Sequence, residues 1–214
     1  MAEKNKGICY LCGNELGKTA MKTHLLNFHA EKSGQDCVLL KIEGAYDKGY
    51  WLYIDILKDK TLSALDAFLR KIWLECCGHL SEFYMPSPAK RFGYSERFSV
   101  GKSVKLRTLT EGGKLFHDYD FGSTTETEIT VIGSIKRKPQ KNIVRLLSRN
   151  LAPQFKCREC GAAAEYVSAE YSDDSAELFL CEECAEKYDE DYLLPVTNSP
   201  RMGQCGYTGE FDNF

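Results

Sequence analysis

The 214-residue chain has no apolar run approaching the roughly 20 residues of a membrane-spanning helix, and its first seven residues are polar rather than signal-like. The expectation is a soluble, cytoplasmic protein with no membrane partner. Without a secretion signal, its ten cysteines are not expected to pair as disulfides. A strong overall charge is also missing, because 28 Lys and Arg nearly balance 31 Asp and Glu. That average hides a division. Residues 151–214 carry 14 acidic and 4 basic side chains, whereas residues 1–150 carry 17 acidic and 24 basic ones. The first part is able to approach a polyanion and the second is not.

What is present in excess is cysteine in CxxC pairs. Six of the ten stand as Cys9/Cys12, Cys157/Cys160 and Cys181/Cys184, a spacing that suits a tetrahedral metal better than separate disulfides. Near the N-terminus the pattern is Cys9-x2-Cys12-x11-His24-x4-His29. Gly13 suits a turn that aims backbone N–H groups at thiolates. The spacing predicts a helix over Lys18 to Phe28, which brings His24 and His29 to one metal, with Leu16, Met21 and Leu25 as a small core. The segment resembles a zinc finger with two cysteines and two histidines. A lone finger whose helix has no arginine for guanine makes a poor reader of DNA.

Further on, Cys157-x2-Cys160-x20-Cys181-x2-Cys184 resembles a four-cysteine zinc ribbon or treble clef. Tyr166 to Ala169 and Glu177 to Leu180 are expected to form a hairpin about Ser172 to Ser175, and Cys181 to Tyr188 to start a short helix. Four thiolates leave no position for water, so hydrolysis at that metal is not expected. Thiol redox chemistry is the alternative, which the ribbon spacing disfavours. Two Zn2+ sites are therefore expected. The tail is turn-rich; Cys205 has no evident partner there, and docking or mobility is expected of it.

Between these modules, Leu62, Leu65, Leu69, Ile72, Trp73 and Cys76 recur at spacings of three and four. This predicts one helix from Leu62 to Cys77, about 24 Å long at 1.5 Å per residue, capped by Thr61 and left through Gly78. It places Cys76 as a buried thiol on the apolar stripe. Cys37 to Ala45 and Tyr50 to Leu57 predict a β-hairpin that is apolar on both faces. His79 to Phe83 reads as a strand, Pro86 to Ser95 as a loop, and Lys114 to Phe121 with Glu126 to Ile135 as a second strand pair. Ile143 to Leu151 reads as a strand or short helix. Across residues 134–149 there are six basic and no acidic residues. Lys136, Arg137, Lys138, Lys141 and Arg145 are the candidates for a polyanion-facing stripe, with a solvated linker as the alternative.

The elements YWLYIDI, the helix entering HLSEF, and HDYDFGSTTETEITV are similar to the plasmid Ri ORF-three-like family, whose members are often labelled transposon passenger proteins. The resemblance spans residues 37–150 and rests on His79 to Phe83 and on Tyr119-Asp120-Phe121-Gly122. It implies a compact α+β domain and no established chemistry. Many relatives carry an acidic residue and a tryptophan soon after that glycine, where this chain has Ser123, Thr124 and Thr125. His79, Glu82, His117, Asp118 and Asp120 are capable of metal or acid/base work if they converge. The bland reading makes Asp120 a turn cap and His79 a helix end.

The expected architecture is α+β, a central mixed or antiparallel sheet packed on one long helix and flanked by two zinc modules. The divisions are 1–33 (finger), 37–150 (central domain), 151–192 (ribbon) and 193–214 (tail). The expected function is a zinc-binding, non-catalytic interaction or adaptor protein with a protein partner and no evident small-molecule substrate. A nucleic-acid-binding protein of a mobile-element or regulatory kind is the alternative, and a metal- or thiol-dependent enzyme the third.

Overall fold

The computed structural model describes residues 6–91, 94–173 and 176–209. It divides into two compact units. Among the described residues, the first comprises residues 6–69 and 80–151, the second residues 70–79 and 152–209.

The first unit is built on a nine-stranded sheet. Its strands are β1 (Lys6–Cys9), β2 (Glu15–Gly17), β3 (Gln35–Gly44), β4 (Trp51–Leu57), β5 (Ser81–Arg91), β6 (Tyr94–Val100), β7 (Lys114–Tyr119), β8 (Thr125–Arg137) and β9 (Val144–Asn150). Their order is β2-β1-β9-β4-β3-β8-β7-β5-β6, and every pairing is antiparallel. Strand β4 is central because nearly all of its residues are buried, as expected of a strand apolar on both faces. Alternation sorts those faces. Leu39, Trp51, Tyr53 and Leu147 form one core with Met21 and Leu25 of helix α1 (Lys18–Phe28). On the opposite face, Ile42 pairs with Leu52 and with Ile129, in line with His117 and Phe83 further along the sheet. There helix α2 (Leu62–Leu69) buries Leu62, Leu65 and Leu69, and its Asp66 meets His117.

Three expectations need correction. The single long helix is absent. Helix α2 stops at Leu69, and Arg70–Leu74 forms a π-helical turn closed by Glu75 N–H donating to Arg70 O at 2.9 Å. The wider turn breaks the 3.6-residue period, so Cys76 leaves the apolar stripe and is only half-buried. Gly78 then leaves at φ 82°, as the sequence suggests. Second, the stretch expected as a loop around Pro86 belongs to hairpin β5–β6. β7 pairs only with Ser81 to Tyr84 of β5, so Pro86 lies beyond that ladder, where its missing N–H breaks no bond to β7. Third, of the residues expected as a separate finger, 6–33 are continuous with the central sheet. β1 pairs with both β2 and β9, and the small core of the finger is part of the core under β3 and β4.

The second unit holds a three-stranded antiparallel sheet, β10 (Tyr166–Asp173), β11 (Ala176–Leu180) and β12 (Leu194–Pro195), ordered β11-β10-β12. Helix α3 (Glu182–Ala185) follows β11. The hairpin is the expected one; residues 174 and 175 of its turn lie outside the described residues. The tail is docked. Trp73 is fully buried, its indole N–H donates to Asn198 O at 3.1 Å, and Ser199 Oγ donates back to Trp73 O at 2.7 Å.

Candidate metal centres

None of the ten cysteines is joined in a disulfide, and two of the expected ligand sets are assembled. A tetrahedral zinc with Zn–S of about 2.3 Å and Zn–N of about 2.0 Å has edges of about 3.8 Å (S···S), 3.6 Å (S···N) and 3.3 Å (N···N). These are the distances against which each cluster is measured.

In the first cluster the end of β1 supplies Cys9, the following turn Cys12, and helix α1 with its C-cap His24 and His29. Cys9 Sγ lies 3.6 Å from His29 Nε2, Cys12 Sγ 3.2 Å from His24 Nε2, and the two imidazole nitrogens are 3.0 Å apart. The turn is closed by Gly13 N–H donating to Cys9 O at 2.7 Å, with Gly13 at φ 77°. A Cβ at Gly13 would meet nothing, so glycine is needed there for its backbone angle alone. Burial, then the charges of His24 and Arg145, lower the His29 pKa and favour the neutral ring that a metal requires.

The second cluster repeats the device. Gly161 stands at φ 77°, and its N–H donates to Cys157 O at 2.9 Å. Cys160 Sγ is 3.5 Å from Cys181 Sγ, close to a tetrahedral edge and far beyond the roughly 2.0 Å of a disulfide. The backbone N–H of Cys181, opposed by burial and joined by the N–H groups of Cys160 and Glu159, brings the Cys157 thiol down to about 6. A thiolate is thereby favoured before any cation arrives. Burial and the neighbouring thiols push Cys184 the other way. All four sulfur atoms lie within 4.8 Å of one another.

A third cluster gathers Cys76, Cys77, His79 and Cys205 within the same 4.8 Å limit; in sequence Cys76, Cys77 and His79 also suggest a metal, but the apolar stripe favours a buried thiol at Cys76, and Cys205 gives no sign of joining them. Three of its ligands stand within four residues of one another, but Cys205 lies 129 positions from Cys76, so local spacing does not mark the fourth. A signal was present all the same. Four Cys–Gly dipeptides occur, at 12–13, 77–78, 160–161 and 205–206. Their glycines have φ of 77°, 82°, 77° and 67°.

The other candidate residues do not converge. His117, fully buried, bonds Asp66 through Nε2 at 2.8 Å, and Asp66 also accepts from Ser81 at 2.7 Å and Lys102 at 2.9 Å. Asp120, at φ 64°, caps Gly122 N–H at 3.0 Å, which is the turn role expected of it. Glu82 accepts from Tyr84 and Ser99, Asp118 lies opposite Glu126 in the β7–β8 register, and His79 joins the cysteine cluster. The cleft of about 620 Å³ lined by Val38, Lys58, Asp59, Leu106 and Arg107 contains none of these five.

The basic stripe is also corrected. Arg137 is fully buried and ion-paired with Asp55, which Arg145 engages as well at 2.5 Å. Lys136 pairs with Asp36 at 2.8 Å. Lys138 and Lys141 are left on the surface, Lys138 with Glu31 at 3.9 Å. The run reads as a stripe in sequence, but strand alternation turns Arg137 inward.

No family model and no curated protein sequence matches the chain. Among solved structures it is similar to a protein of unknown function from Methanosarcina mazei Go1, at 18% identity and a TM-score of 0.45, over 62% of this chain and 78% of that one. Among the described residues, no helix is long and apolar enough to cross a membrane.

Proposed function

We propose that this protein is a zinc-stabilised, non-catalytic interaction protein whose acidic second unit receives a basic protein partner. The closed shell at Cys157, Cys160, Cys181 and Cys184 carries the reading: four sulfur ligands leave a metal no open position for substrate or water. Zinc is the metal that tetrahedral sulfur and imidazole donors favour. The contact surface follows from charge. Glu182, Glu183, Glu186, Asp189, Glu190 and Asp191 are all exposed within ten residues of the ribbon's last ligands. The nucleic-acid alternative is weakened by the internal pairing of Arg137, Arg145 and Lys136. Membership of the plasmid Ri ORF-three-like family remains part of this proposal, on the strength of His79 to Phe83 and Tyr119 to Gly122.

The test is affinity purification of the full chain beside a Glu182→Lys, Glu183→Lys, Glu186→Lys variant with zinc content measured on both. A basic protein retained by the parent chain and lost from the variant at equal zinc content is the expected result. Retention by both would refute the acidic surface. Binding of DNA or RNA at low salt, falling steeply as salt rises, would favour the alternative.

A further inference from the structure

We propose that Cys76, Cys77, His79 and Cys205 bind a third zinc ion, and that this ion clasps the C-terminal tail to the chain segment that follows the π-helical turn. The proposal is independent of the partner proposed above. All four residues belong to the second unit.

The geometry comes first. Cys77 Sγ lies 3.8 Å from Cys76 Sγ and 3.8 Å from Cys205 Sγ, matching the tetrahedral S···S edge of about 3.8 Å and far from the roughly 2.0 Å of a disulfide. His79 Nε2 is 2.9 Å from Cys77 Sγ and 3.2 Å from Cys205 Sγ. Those edges are shorter than the ideal S···N edge, but the Cys12–His24 edge of the finger is short too, at 3.2 Å. The donor set of three sulfurs and one imidazole is a zinc set, closed and tetrahedral.

The backbone is shaped for the same purpose. Gly78 and Gly206 repeat the left-handed glycine that follows Cys12 and Cys160 in the other two clusters. A Cβ at either would meet nothing within 4 Å, so at all four places glycine is required by the turn rather than by crowding. Cys205 itself has φ 45°, one of only two non-glycine residues with positive φ among the described residues. That conformation is strained for a residue with a Cβ and persists only where surrounding structure enforces it. The turn at the other end is braced: Glu75 accepts from Gly78 N–H at 2.6 Å and from Arg70 at 2.8 Å, and Arg70 also donates to His79 O at 2.6 Å. These contacts orient Cys77 and His79 toward one point.

Charge completes the argument. Three thiolates and a neutral imidazole around Zn2+ sum to one negative charge, and three thiol protons leave as the ion binds. Arg201 is fully buried, and its guanidinium donates to Cys76 Sγ at 3.4 Å. A charged donor to a ligating sulfur is the outer-shell partner such sites use. Ser199 and Trp73 hold that arginine's backbone in place.

Native mass spectrometry of the full chain, purified with reductant and without chelator, tests the proposal directly. Three zinc ions per chain are expected, with Cys205→Ser and Cys77→Ser each holding two and Cys184→Ser also falling by one. Thiol alkylation of the parent chain gives a second readout that needs no variant. Cys77 and Cys205 are exposed, so without a metal the reagent reaches both. With zinc they are protected, and a chelator releases them together with Cys76. A parent chain that holds two ions and reacts at Cys77 and Cys205 as fast before chelation as after it, or one in which those two sulfurs are joined covalently, overturns the proposal.

Discussion

Asp55 and Arg137 show how far a side chain's environment departs from its type. Both are fully buried, and Arg145 and the carbonyl of Asn142 complete the arrangement around them. Removing one member of a buried pair leaves an uncompensated charge, at a cost of about 3–5 kcal/mol. Asp55→Ala is expected to lower unfolding stability by that amount in urea, whereas Lys138→Ala should change it by less than about 0.5 kcal/mol. Asp66 supplies a pH-dependent prediction. Burial raises its pKa, but hydrogen bonds from His117, Ser81 and Lys102 outweigh burial and hold the carboxyl below its usual value. A depressed carboxylate stabilises the fold above its unfolded pKa of about 3.9 and loses that contribution as pH falls toward the folded value. Asp66→Asn should therefore destabilise strongly at pH 7, and the gap from the parent chain should narrow in acid denaturation below about pH 4. Eight metal-ligand candidates were legible because CxxC and His-x4-His are local spacings. Arg137 was misread and Cys205 missed because each is decided by contacts across the fold.

At the scale of elements, the sheet was easier to read than the helices. Tyr50 to Leu57 and Glu126 to Ile135 show their strand character through apolar and β-branched content, and both are strands. The apolar stripe from Leu62 to Cys76 does not distinguish an α-helix from one that widens into a π turn, because the two patterns differ by a single residue. Prolines disguised hairpin β5–β6, since a proline signals a loop unless it is known which neighbours its strand has. Strand β1 offers a sharp test. A Cβ at Gly7 would lie 2.3 Å from Arg149 O and 2.5 Å from the Trp51 ring. Gly7→Ala is expected to cost about 1–3 kcal/mol, and faster amide exchange over residues 6–17 should locate the damage at the sheet edge. Unchanged exchange there would mean that β1 does not lie so close to Trp51.

For the whole molecule, the two units should differ in their need for metal. The buried cluster around the ribbon consists of Cys157, Leu178, Leu180, Cys181, Cys184 and Ala185, so half of its members are ligands. The finger's core instead draws on Leu39, Trp51, Tyr53 and Leu147 of the large sheet. Where ligands form the core, removing the metal removes the fold. EDTA should collapse amide protection over residues 157–185 while strands β3, β4 and β8 keep theirs, and equal loss in both regions would contradict this division. The segment 70–79 belongs to the second unit although sequence of the first flanks it on both sides. A ribosome releases Trp73 and Cys76 long before Ser199 and Arg201 exist to cover them. The second unit must therefore wait until Ser199 and Arg201 have been made, and a gene fragment cut at residue 151 would express a protein without the residues that cover Trp73.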